Sequence, residues 1–69
     1  MVRIINMNIS LSNFLSNNNL SENFKIFDIE EKNMLDMDYV GSNINFMTVK
    51  EIVKDRKFNV SEIYVSISK

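Results

Sequence analysis

Cysteine, histidine, proline and tryptophan are absent from this 69-residue chain, and glycine occurs once, at Gly41. Without cysteine neither a disulfide nor a thiolate zinc site can form, so a domain this small must be held by packing or by a partner. Without histidine, serine and threonine nucleophiles lose their usual base. A single glycine leaves no glycine-rich phosphate loop. A heavy-metal carrier of comparable size would need a pair of cysteines. A ubiquitin-like modifier or sulfur carrier would need a terminal Gly-Gly, where this sequence reads Ile67-Ser68-Lys69. These absences leave no catalytic residue, cofactor or metal site to assign, and the expectation is a protein that is not an enzyme.

Long hydrophobic runs are missing too. No stretch approaches the roughly 18 consecutive apolar residues of a membrane-spanning helix, and the first fifteen residues alternate instead of forming a signal-peptide core. A cytoplasmic location without membrane contact is the expectation. The net charge of −1 offers no general attraction to a phosphate backbone, which disfavours nucleic acid as a partner. Charge is nevertheless uneven. Residues 1–46 carry three cations against six carboxylates, while residues 47–69 carry five against three.

What is present is apolar bulk: 45% hydrophobic residues, with five Phe and many Ile and Val, enough for one core. The Asn run at residues 17–19 sits among interleaved hydrophobics and reads as composition bias, not as a low-complexity tract.

Residues 2–9 read as a strand, with Ile5, Met7 and Ile9 on one side and Asn6 and Asn8 on the other. Ser10 can cap a short helix that gathers Leu11, Phe14 and Leu15, ended by the Asn run where left-handed conformations are cheap. Residues 24–29 and 34–40 read as two strands of a hairpin joined by the polar residues 30–33. Thr48-Val49-Lys50-Glu51 fits a capping box, followed by a helix to about Lys57 with Lys54, Arg56 and Lys57 near its C-terminus. Residues 62–68 alternate cleanly as a last strand.

This order predicts one α+β domain over residues 1–69, two layers deep, with an antiparallel sheet carrying helices on one face. The topology it spells is ferredoxin-like βαββαβ. If residues 10–20 are a loop, the alternative is a ubiquitin-like ββαβ core.

On such a sheet Asp36 and Asp38 point the same way, opposite Leu35, Met37 and Tyr39. With Asn6 and Asn8 they make an acidic, amide-rich face that would repel RNA. Two carboxylates alone do not make a hard-cation site. The face reads instead as a docking surface, formed by Glu30, Glu31, Asp36 and Asp38, with Tyr64 as a rigid aromatic anchor.

The functional expectation is stoichiometric binding of another protein. Its concrete form is a phage or mobile-element inhibitor of a host nucleic-acid-processing enzyme, an anti-CRISPR or other anti-defence protein whose carboxylates replace phosphates. Two alternatives come from other classes. One is a small DNA-binding regulator using the helix that begins at Thr48. The other is a self-assembling structural or regulatory domain, a homodimer through the edge strand at residues 62–68.

Overall fold

The computed structural model describes residues 3–68. In chain order it runs β1 (Arg3–Ser10), α1 (Leu11–Asn17), β2 (Leu20–Asp28), α2 (Met37–Asn43), a 3₁₀ turn (Ile44–Phe46), β3 (Met47–Lys54) and β4 (Val60–Ile67). The four strands form one mixed sheet in the order β1-β3-β4-β2. β3 is antiparallel to both β1 and β4, whereas β2 runs parallel to β4. The result is a small compact α+β domain.

A row of isoleucines crosses the whole sheet: Ile5 lies opposite Ile52, Ile52 opposite Ile63, and Ile63 opposite Ile26. The last three are buried and Ile5 is half-buried. Paired residues on neighbouring strands share a face, so this row and the adjoining Ile9, Val49 and Val65 define the inner side of the sheet. Leu11 and Phe14 from α1 and Val40 from α2 complete the same cluster. Removing each such side chain from water stabilises by about 1.5–3 kcal/mol, which is how a core this small offsets its chain entropy. Among the described residues no polar or charged residue is buried.

α1 starts as its sequence predicts. The Ser10 hydroxyl accepts from the Asn13 amide at 3.4 Å, and Ile9 and Phe14 occupy the two positions of a hydrophobic staple around that cap. Its end differs from expectation, because Asn18 is extended and not left-handed. The side-chain amides of Asn17 and Asn18 instead donate to the Asn13 and Phe14 carbonyls at 2.9 and 3.0 Å. The run closes the helix by satisfying acceptors that the last turn leaves free.

Two expected elements are exchanged. Residues 34–40 do not form the second strand of a hairpin: they meet β2 only through a bridge from Met34 to Phe27, and the chain is helical from Met37. Residues 48–57 do not form a capped helix; Met47–Lys54 is a central strand, and Lys54, Arg56 and Lys57 lie at its end and in the following turn. These elements, with a parallel pair in the sheet, differ from the ferredoxin-like βαββαβ order and from an all-antiparallel sheet. The ubiquitin-like alternative fails at residues 10–20, where α1 is formed. The first strand, expected from Val2, is described from Arg3, and Val2 lies outside the described residues.

Candidate interaction surface

The stretch from Asp28 to Tyr39 carries five carboxylates and one cation. It leaves β2, turns, and returns along the edge of that strand. Two backbone bonds tie the return: Asp28 donates to Asn33 O at 3.0 Å and Leu35 to Ile26 O at 2.7 Å. Lys32 closes the turn with a left-handed φ of 62°, its amide donating to Asp28 O at 2.8 Å, and the Asp28 carboxylate accepts from the Glu30 amide at 3.0 Å. Asp36 then takes the extended conformation of a helix N-cap, with Leu35 before it and Val40 after it in staple positions that both pack on the core.

This path separates Asp36 from Asp38. One is the cap and the other lies in the first turn of α2, so they do not share a strand face as expected. Asp36 and Glu31 instead line one cleft of about 550 Å³ with Asp28, Asn33, Met34 and Tyr39. Glu30 and Asp38 are exposed outside its lining. Exposed apolar groups accompany the carboxylates: Met34 and Tyr39, 57% and 39% exposed, line the same cleft, and Met37, 52% exposed, lies between Asp36 and Asp38 in sequence. Of these, Met37 and Tyr39 are residues that the strand reading assigned inward, opposite the carboxylates. Leu35 and Val40 around the polar Asp36 were the available signal of a staple.

Tyr64 is elsewhere. It belongs to β4, which is paired on both sides by β3 and β2 and is therefore not the edge strand that the homodimer reading expected at residues 62–68. On the outer side of the sheet its ring stacks on Phe27 with centroids 5.0 Å apart. Its hydroxyl donates to Glu62 Oε1 at 2.9 Å, a bond that, ahead of burial and the nearby charges of Glu62 and Glu51, raises the phenol above its ordinary value. Lys32 Nζ lies 5.8 Å from the ring centroid and joins Tyr64 to the acidic turn.

The outer side of the sheet is mixed in charge, because Glu51 and Glu62 share it with Lys25, and Lys50 donates to Asn8 Oδ1 at 2.9 Å. The expectation of one acidic sheet face bearing Asp36 and Asp38 is therefore replaced by an acidic cleft at the β2 edge. A second cleft, of about 560 Å³ beside the β3–β4 turn, mixes Arg56 and Lys57 with Glu22 and Asp55.

Among the described residues no group of three or more acidic side chains is placed to hold a metal ion. No helix of the described residues is long and apolar enough to cross a membrane. Ser66 and Lys69 have a Ser-x-x-Lys spacing; Ser66 lies within β4, and Lys69 lies outside the described residues.

Fold and surface together define a small α+β domain with an acidic, partly apolar cleft. No protein-family model, curated protein or solved structure matches the chain.

Proposed function

We propose that this protein is a non-enzymatic binding module whose cleft between β2 and α2 takes a Lys- and Arg-rich surface of another protein. One observation carries the reading: Glu31 and Asp36 line the same cleft as Met34 and Tyr39, so charge and exposed apolar area fall together. A basic partner with apolar side chains between its cations satisfies both. Carboxylates steer such a partner and set its register, and Met side chains repack around it.

A nucleic-acid-processing enzyme presents that chemistry in its phosphate-binding channel. Stoichiometric occupation of such a channel is the concrete form of the proposal, as an anti-CRISPR or other phage-borne inhibitor would achieve it. The DNA-binding alternative loses the helix it used, which is strand β3, and two of its cations, Arg56 and Lys57, sit in a turn beside Glu22 and Asp55.

The test is retention of a lysate protein by the wild type and by a Glu31→Lys, Asp36→Lys double variant, with the captured protein identified, purified and titrated at low and high salt. The proposal requires a partner with a basic surface, binding that weakens with salt, and loss of binding in the variant. Equal affinity of both proteins would refute it.

A further inference from the structure

We infer that the outer edge of β1 is a pairing site for a second copy of this chain, giving a two-fold dimer with one continuous eight-stranded sheet. Of the sheet's two edges β1 is the one that no other segment of the described residues pairs with. The β2 edge is covered at its C-terminal end, where the returning residues 33–35 bond Asp28 and Ile26, and is uncovered along residues 20–25. β1 is paired with β3 alone, so on both sides of the irregularity between Asn6 and Ile9 every second N–H and C=O points away from the sheet.

The devices that usually blunt such an edge are scarce here. The strand Arg3–Ser10 contains no proline and no inward-pointing charge, and its one charged residue is at its end. One irregularity in the pairing to β3, between Asn6 and Ile9, is the single such device. The edge is also incompletely covered: Ile5, Met7 and Ile9 are half-buried at the rim of the core, and Ile4 on the other side is 66% exposed.

The occupant follows from the order of residues. Residues 5–9 read Ile-Asn-Met-Asn-Ile, a palindrome. Antiparallel pairing about a two-fold axis at Met7 places Ile5 against Ile9, Asn6 against Asn8 and Met7 against its own copy. Each apolar side chain on the inner side then meets an apolar one, and each side-chain amide on the outer side meets an amide that both donates and accepts. The two Arg3 residues fall at opposite ends and do not repel. A foreign strand would have to supply this alternation, whereas a second copy already has it. A contact one strand wide lies at the small end of protein interfaces, so the dimer forms at roughly micromolar concentrations or above.

Two experiments test this on the intact chain. The first is sedimentation of the wild type and of Asn6→Lys from about 10 µM to about 1 mM, a span that brackets a weak interface. Within one copy residue 6 lies opposite Glu51, so the substitution suits the fold; across the axis it meets Asn8 and the Lys50 ammonium bound to it. The wild type should move from monomer to dimer with concentration and Asn6→Lys should stay monomeric with an unchanged circular dichroism spectrum.

The second is oxidative cross-linking of Met7→Cys against Ser12→Cys on the exposed side of α1. A pair at the axis sits about 4.5–5.5 Å apart between Cα atoms, inside the disulfide range, so the Met7→Cys variant should cross-link at least about tenfold faster. A wild type that remains monomeric throughout, an Asn6→Lys variant that dimerises equally well, or equal cross-linking at the two positions overturns the inference.

Discussion

Phe27 and Tyr64 stack across the parallel pair β2–β4 with an interplanar angle of 17°, on the side of the sheet that no helix covers. The Tyr64 hydroxyl is held by Glu62, which makes the ring sensitive to alkaline pH. The phenol keeps its proton to a higher pH in the fold than in the unfolded chain, where it leaves near pH 10.0. The stabilisation from this bond is thus complete below about pH 10 and is lost as pH rises through the higher folded value. In Tyr64→Phe the stack is retained and the titration removed. Chemical denaturation from pH 8 to pH 11 should show a smaller alkaline loss in the variant, and parallel losses would rule the linkage out.

Gly41 lies within α2, and a methyl group added there meets nothing within 4 Å. Its φ is not positive, so nothing in the backbone requires glycine. Gly41→Ala should gain about 0.5–1 kcal/mol from helix propensity. In a domain this small that is a rise of roughly 2–8 °C in Tm, and calorimetry showing a lower Tm would contradict it.

How far the sequence could be read depends on where strands are irregular. β1, α1 and β4 follow plain period-two or capped-helix patterns and were legible. β3 was not, because an irregularity between Val49 and Glu51 inserts Lys50 and brings Val49 and Ile52 to the same side. A strand with one extra residue thus repeats apolar positions at i and i+3, the spacing of a helix, and Thr48 with Glu51 completed the imitation of a capping box. The β-branched Thr48, Val49, Ile52 and Val53 were the contrary signal. The reverse error at residues 34–40 came from an alternation of Leu35, Met37 and Tyr39 that packing does not use: only Leu35 among them reaches the core. Glu31 and Asp36 were legible as site candidates, but their meeting in one cleft depends on the return of the chain along β2, which composition does not encode.

The turn between β3 and β4 holds Phe58 at a left-handed φ of 64°, a conformation that costs a non-glycine residue about 1–2 kcal/mol. The Asp55 carboxylate enforces it by accepting from the amides of Lys57 and Asn59 at 2.9 and 3.0 Å. Arg3 lies 5.7 Å from the Phe58 ring centroid, and such an exposed contact returns only about 0.5–1 kcal/mol. Strain therefore exceeds the ring contact, and Phe58→Gly should stabilise by a few tenths to about 1 kcal/mol. Asp55→Ala should cost about 1 kcal/mol or more by freeing two amides. A destabilised Phe58→Gly protein in urea denaturation would show that the Arg3 contact outweighs the backbone.

The isoleucine row offers a graded test of the core and of the open edge together. Ile63 is fully buried at its middle, so Ile63→Ala should cost about 3–5 kcal/mol, enough to unfold much of a domain of this size at about 37 °C. Ile5, half-buried at the β1 edge, should cost about half as much in dilute solution, because part of its surface stays wet before and after truncation. If β1 pairs with a second copy, that surface is covered at high protein concentration, and the Ile5→Ala penalty must grow with concentration while that of Ile63→Ala follows the wild-type trend. Denaturation midpoints at a low and a high concentration separate the cases, and an Ile5→Ala penalty independent of concentration would confine Ile5 to a role inside one chain.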